Sequence, residues 1–342
     1  MRNVRYTAVS LLAAILIAGC GKKEPVGPQT VSVPERAALI VNGLAETISI
    51  LDIEQGVITN DVVTVGKWPN AIVIRDGRVY VVNSGDNNIQ IFDLSNMLNV
   101  RFVDIGSNTN PMQMAFLNDR FAYVTTSVIS GVSKVDLDLM KVVKVIPLGQ
   151  SLTGVVAFGG KVYVTDTAFD PTTYAYGQGK VYVIDPAADD VVAEIEVGTN
   201  PQFVVVDGDG ELNVVCTGDY VATEGQVYVI EPQTDEVVEV IEIGGAPTGI
   251  TIATDGKAYL ASSQGLLSYD TVSNVVLHSG ADPLSAFAEA FGVAADPEGY
   301  IYVCVPDWTG AGGDRLLVMD PVTEEIVGTY TAGSGAQLVA IR

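Results

Sequence analysis

The sequence predicts an all-β fold: a seven-bladed β-propeller of four-stranded antiparallel blades, its ring closed by the C-terminal strand entering the first blade. Three observations carry this expectation. Short runs rich in Val, Ile and Tyr alternate with a period of two, as in Gly77–Leu94, GRVYVVNSGDNNIQIFDL, where SGDNN turns the chain between two such runs. An apolar strand followed by Gly recurs at Val65-Gly66, Ile105-Gly106, Leu148-Gly149, Val197-Gly198, Ile243-Gly244, Ser279-Gly280 and Ala332-Gly333, at intervals of 36 to 53 residues. That is the repeat length of propeller blades. Finally, the broken ends are complementary. The first unit lacks its first strand, and Ser334–Arg342, SGAQLVAIR, matches GKWPNAIVI of the second.

In chain order, the first segment is not expected to belong to the fold. Arg2 and Arg5 precede the apolar stretch Val9–Ala18, which is too short for an ordinary membrane span and ends Ile17-Ala18-Gly19-Cys20. This run resembles the lipobox of bacterial lipoproteins. The resemblance implies a signal peptide over 1–19, a lipid on Cys20, and a place in the cell envelope, at the outer membrane or cell surface, since Gly21 is not the Asp of inner-membrane retention. Residues 20–37, polar and bearing Pro and Gly, read as a tether, and 38–342 as the propeller.

The first unit supplies strands B (Leu39–Val41), C (Thr47–Leu51) and D (Val62–Val65). The second supplies all four: A (Asn70–Ile74), B (Arg78–Asn83), C (Asn88–Phe92) and D (Val100–Ile105). Arg75-Asp76-Gly77 makes its A–B hairpin, and Asn118-Asp119, Gly159-Gly160, Asp207–Gly210, Asp255-Gly256 and Asp296–Gly299 are the equivalents. C–D turns begin at Asp93, Asp136, Asp185, Glu231, Asp270 and Asp320. The stretch Asp207–Glu211, DGDGE, occupies a hairpin position and lacks the rest of an EF-hand pattern, so it reads as a tight turn. The insertion Asp282–Phe291 allows a short helical turn over the rim, bringing Phe287 and Phe291 with it.

Composition narrows the function. The formal charge is −23, which argues against nucleic acid and anionic membrane as partners. Membrane contact is expected through the Cys20 lipid only. The single histidine, His278, at the outer end of unit six, offers no triad or zinc site. Cys216 and Cys304 lie on blades five and seven and are expected as buried, unpaired thiols. No cofactor or metal is expected, and a binding protein is favoured over a hydrolase or lyase.

The core VYVVNSGDNNIQIFDL, with YVTT at Tyr123–Thr126 and YVTD at Tyr163–Asp166, resembles the YVTN repeat of YncE-like β-propellers. The resemblance covers nearly all of Ala38–Arg342. It implies an extracytoplasmic protein with a monomeric propeller, and few such proteins have an assigned activity. One branch of similar lipoproteins binds corrinoids at the cell surface and serves a TonB-dependent transporter; by analogy this gives a corrinoid as one candidate ligand. The strand-B ends vary between blades, which speaks against a symmetric metal ring.

Loop length then places a site. The D–A and B–C connections share one face of a propeller, here the upper face, and the variation is concentrated in B–C loops. Long loops on a rigid scaffold commonly carry binding residues. Unit four brings Asp166, Phe169, Asp170, Tyr174 and Tyr176; unit five Thr217, Asp219, Tyr220 and Glu224; unit seven Asp307, Trp308, Asp314 and Arg315. The D–A side adds Trp68, Asn70, Asn110, Met112, Asn200 and Gln202. The expected ligand-binding set is Trp68, Asn70, Met112, Asp166, Phe169, Tyr174, Tyr176, Asp219, Tyr220, Asp307 and Trp308. Rings beside acids and amides suit a small polar ligand or an envelope protein. A small-ligand site is expected as a central concavity lined by Trp308, Tyr220, Tyr174 and Trp68, with Asp166, Asp219 and Asp307 near it.

Overall fold

The computed structural model describes residues 31–129, 131–149 and 151–342. The leader 1–19 and the expected lipid site Cys20 lie outside them. The described residues form seven four-stranded antiparallel sheets. Each innermost strand touches the next around a closed ring: Pro69–Arg75, Pro111–Phe116, Leu152–Phe158, Pro201–Val206, Pro247–Ile252, Gly292–Ala295 and Ala336–Ile341. The last of these pairs antiparallel with Ala37–Asn42, with Ala38 opposite Ile341 and Val41 opposite Leu338. Blade one is thus completed by the C-terminal strand, followed outward by Ala37–Asn42, Thr47–Asp52 and Val57–Thr64.

Burial explains the strand-B sequences. In blade two, strand Arg78–Asn83 is buried on both faces after its first residue. Val79 and Val81 pack into the core shared with blade one, while Tyr80 and Val82 pack into the core shared with blade three. The hydrophobic core therefore lies between blades, and each large apolar side chain buried there contributes about 1.5–3 kcal/mol. Cys216 and Cys304 fill such positions as free, buried cysteines, and burial pushes the Cys216 thiol up to about 12.

The recurring acids are explained by turn geometry. In all seven blades the acid ending strand C accepts a backbone N–H from its own turn: Asp52 from Gln55, Asp93 from Ser95, Asp136 from Asp138, Asp185 from Ala187, Glu231 from Gln233, Asp270 from Ser273 and Asp320 from Val322. These groups account for part of the acidity without any ligand. The DGDGE stretch forms the expected turn, Asp207 Oδ1 accepting from Asp209 and Glu211.

The recurring Gly has a separate cause. The polar end of strand B lies against the D–A corner of its own blade. At Gly66 the N–H donates to Asn83 Oδ1 at 3.1 Å, and a Cβ there would come 2.6 Å from Asn83 Cγ. At Gly149, φ is +36° and a Cβ would run into the Asp166 carboxylate.

Lower-face acids also join neighbouring blades. Asp189 accepts from Tyr123 (3.2 Å) and Lys134 (2.5 Å), Asp235 from Tyr163 (3.1 Å) and Lys161 (2.7 Å). His278 Nε2 lies 3.2 Å from Glu324 of blade seven. The insertion contains a 3₁₀ turn, Ser285–Phe287. Phe287 is not on the rim as expected. It is fully buried between blades six and seven, because Leu284 pairs with Leu266 and draws the segment onto blade six.

The residues preceding Ala37 run along the lower face. Val33 is buried with the core of blades one and two, and its N–H reaches Ser95 O. Arg342 donates to the carbonyls of Val33 (2.7 Å) and Pro34 (3.0 Å), and Arg36 pairs with Glu298 at 2.9 Å.

Candidate functional site

The inner strands are irregular at their upper ends, and this irregularity builds a cavity. Register shifts fall between Pro69 and Ala71, Pro111 and Met114, Leu152 and Val155, and Pro201 and Phe203. A bulge leaves one or more residues out of the ladder and re-aims their side chains. The released residues include Asn70, Met112, Thr153 and Gln202. All four line one upper-face cavity of about 390 Å³, a size suited to a small molecule. Trp68, Phe169 and Tyr176 frame it, and Ser84, Asn110, Ser127, Ser151 and Thr167 complete the wall. Among the described residues, none of the lining is charged. Asn70 also borders the central channel below, about 210 Å³ in volume. On the other side of the ring Gln337 donates to Pro69 O and Thr248 to Phe291 O, which turns both into the wall.

Trp68 holds an unusual conformation. It precedes Pro69 with φ +50°, the left-handed region, and is 69% exposed. The same corner in blades three and five is occupied by Asn110 (φ +49°) before Pro111 and Asn200 (φ +59°) before Pro201. Asn tolerates this conformation, whereas a bulky residue is strained in it. The Trp68 ring lies over the B–C turn, where a Cβ on Gly85 would come 3.1 Å from Trp68 Cδ2. The same Cβ would come 2.8 Å from Lys67 Cβ, so Gly in SGDNN makes room for the whole Lys67-Trp68 corner.

Of the expected set, the structure brings Trp68, Asn70, Met112, Phe169 and Tyr176 to the cavity. Phe169 and Tyr176 face each other across a two-stranded hairpin, ring centroids 5.1 Å apart. Tyr174 and Tyr220 are outside the lining, 80% and 60% exposed, with Tyr174 6.3 Å from Phe169 and Tyr220 6.3 Å from Tyr176. Burial, and Tyr220 beside it, push the Tyr176 hydroxyl above its ordinary pKa. Trp308 is not at this concavity: it stacks edge-on against Phe291, centroids 5.2 Å apart.

The three acids expected near the concavity serve their own loops. Asp166 is 4% exposed and accepts from the N–H groups of Ser151 and Ala168. Asp219 Oδ1 accepts from Val221, Ala222 and Thr223, and these backbone donors hold its carboxyl down at about 2. Asp307 accepts from the Thr309 hydroxyl and from the N–H groups of Thr309 and Gly313, and lies below the usual carboxylate range because of the Thr309 hydroxyl first. Asp314 turns inward. It is 1% exposed, and its Oδ1 accepts from the N–H groups of Asp307 (2.9 Å), Gly335 (2.7 Å) and Ala336 (3.2 Å). It therefore ties the loop of blade seven to the first residues of the closing strand.

Sequence reasoning missed the hydroxyl wall. Ser84, Ser127 and Thr167 are each the first residue after a strand B, and Thr217 stands at the same place in blade five. Their repeated place was a readable signal. Ser84 and Thr217 donate to Pro111 O and Pro247 O of the following blades, linking neighbouring inner strands.

No family model matches this chain, and no curated protein matches it. Solved structures are similar to it in fold. Hydrazine synthase of Kuenenia stuttgartiensis is 17% identical with a TM-score of 0.64, covering 80% of this chain and 95% of that one. A quinoprotein alcohol dehydrogenase-like protein of Bacteroides thetaiotaomicron is 15% identical with a TM-score of 0.65, covering 87% and 76%. A functionally unknown protein of Desulfotomaculum acetoxidans is 16% identical with a TM-score of 0.63, covering 89% and 98%. At such identities the likeness is to the propeller scaffold alone.

Proposed function

We propose that this chain is an extracytoplasmic, lipid-anchored binding protein without enzymatic activity, which captures a small polar ligand in the upper-face cavity of blades two to five. The observation that carries this reading is the set of bulged inner strands that aim Asn70, Met112, Thr153 and Gln202 at one uncharged cavity framed by Trp68, Phe169 and Tyr176. A rigid ring holds these groups in place before a ligand arrives, which limits the ordering cost of binding. Support for binding over catalysis comes from Asp219 and Asp307, whose carboxylates are engaged by their own loop backbones.

The expected result of a thermal-shift screen with an organic ammonium, a disaccharide, cobalamin and calcium is stabilisation by one organic ligand. Loss of that shift in Trp68→Asn assigns it to the cavity. A shift that survives the substitution, or none with any probe, sinks the cavity as the site. The finer reading, a corrinoid passed to a TonB-dependent transporter, is supported by the exposed rings Trp68, Tyr174 and Tyr220 around the mouth. It predicts that cobalamin binding weakens in Tyr174→Ala and Tyr220→Ala, whereas a ligand held inside the cavity is insensitive to both. An envelope protein as partner predicts capture that depends on these rim rings and no small-molecule shift.

Anchoring is tested separately. Cys20→Ser is expected to move the protein from the membrane fraction to the soluble extracytoplasmic fraction. Retention in the membrane by the variant would overturn the lipid anchor.

A further inference from the structure

We propose that the upper-face cavity takes a small organic cation, a primary ammonium or guanidinium group carried on an apolar body; this rests on the reading of that cavity as a ligand site. The inference comes from tracing where the amides and most hydroxyls of the wall are already committed. Asn70 Nδ2 donates to Ser84 Oγ at 2.6 Å and to Met112 Sδ at 3.4 Å. Ser84 gives its own hydrogen to Pro111 O, so the amide must present its NH₂ to Ser84. Asn110 Nδ2 likewise donates to Ser127 Oγ at 2.6 Å. Gln202 Nε2 donates to Asn200 Oδ1 at 2.7 Å, and Asn200 is fixed in that sense because its Nδ2 reaches Gly218 O at 3.0 Å. The hydroxyls of Thr153 and Thr167 are directed to Pro201 O and Ser151 O.

The donor ends of three amides are thus turned into the wall. Among the described residues, Asn70 Oδ1, Asn110 Oδ1 and Gln202 Oε1 have no partner. What faces the cavity is weighted to acceptors, with Trp68 Nε1, the Tyr176 and Ser151 hydroxyls and the second N–H of Gln202 as the remaining donors. An anion finds no cationic side chain in the lining. A saccharide, which must accept as well as donate, has half its hydrogen-bonding left unmet. A cation with several N–H groups meets the exposed carbonyl oxygens, and the faces of Trp68, Phe169 and Tyr176 add cation–π attraction. The wider field agrees. Asp86, Asp166 and Asp170 flank the mouth or stand behind its wall, against Lys67 at the rim, in a chain of net charge −23.

The test uses the full propeller carrying Trp308→Phe, so that Trp68 is the one remaining indole. Its fluorescence is titrated with phenethylammonium, agmatine, 2-phenylethanol, 3-phenylpropanoate, N-trimethylated phenethylammonium and sucrose, with calorimetry for each probe that responds. Phenethylammonium or agmatine is expected to bind at least about tenfold more tightly than the alcohol and the trimethylated cation. The carboxylate is expected to give no response. Asn70→Leu and Gln202→Leu should each weaken the ammonium by about tenfold while the thermal midpoint stays within a few degrees. If sucrose or the alcohol binds as well as the ammonium, and Asn70→Leu weakens it, the cation class falls and the cavity site stands. Equal binding of the trimethylated cation overturns the role given to the carbonyl oxygens. Silence from every probe overturns both the cation and the cavity.

Discussion

Asp314→Ala is expected to lower unfolding stability by about 3 kcal/mol, the largest effect of any single polar substitution on the upper face. One carboxylate oxygen receives three backbone N–H groups, two of them on the residues that begin the closing strand. Removing it leaves buried donors unmet at the one seam where the ring is held by strand pairing instead of chain continuity. Asp314→Asn, which keeps an acceptor oxygen and the shape, should lose about 1 kcal/mol. Asp320→Ala removes a half-buried turn acid of the same blade and serves as the control, with an expected loss under about 1 kcal/mol. Denaturant midpoints measure all three, provided the slope is unchanged. Equal losses for Asp314→Ala and Asp320→Ala would show that the seam has no special dependence on this carboxylate.

Trp68→Asn is expected to act in opposite directions on stability and on capture. The tryptophan sits at φ +50° in a corner where Asn110 and Asn200 occupy the equivalent places. Placing Asn there relieves left-handed strain, and stability should rise by about 1 kcal/mol. The same change removes the largest ring of the cavity frame, and binding of a responding probe should fall by about tenfold or more. Denaturation and calorimetry on one preparation measure both quantities. A destabilised variant, or one that retains full affinity, would mean that the ring serves only to pack the SGDNN turn. A strained, exposed aromatic is what a site shows when its geometry is kept at the expense of local comfort.

The scaffold was legible because its signals are local. Tyr80 and Val82 alternate with Val79 and Val81, and each pair fills a different inter-blade core, so a period of two with apolar residues on both faces describes strand B well. The turn acids follow from backbone geometry within a few residues, and the recurring Gly from the strand-B end packed on the corner of its own blade. The match of SGAQLVAIR to GKWPNAIVI indicated closure for the same reason. The site was legible only in part. Trp68, Asn70, Met112, Phe169 and Tyr176 do meet at one cavity, since D–A corners and long B–C loops share a face. Asp166, Asp219 and Asp307 were assigned to a ligand on residue type, yet each is engaged by loop donors. Whether an acid looks outward or caps its own turn depends on the loop's path, which residue type does not specify. Phe287 misled in the converse way, an aromatic in an insertion that fills a gap between blades. Ser84, Ser127 and Thr167 after strand B passed unnoticed because small hydroxyl residues are ordinary at strand ends.

The closing strand also sets a timetable. Strand Ala37–Asn42 is among the first parts of the propeller to be made, and its partner Ala336–Ile341 among the last. Until that partner arrives, the fully buried edge of blade one has unpaired backbone groups on its inner side, an invitation to wrong pairing with any free strand. The six blades between can each pair their strands in sequence while the first one waits. An emerging chain therefore passes through a long interval as an open arc with one adhesive end, and it is over this interval that folding helpers would find most to hold.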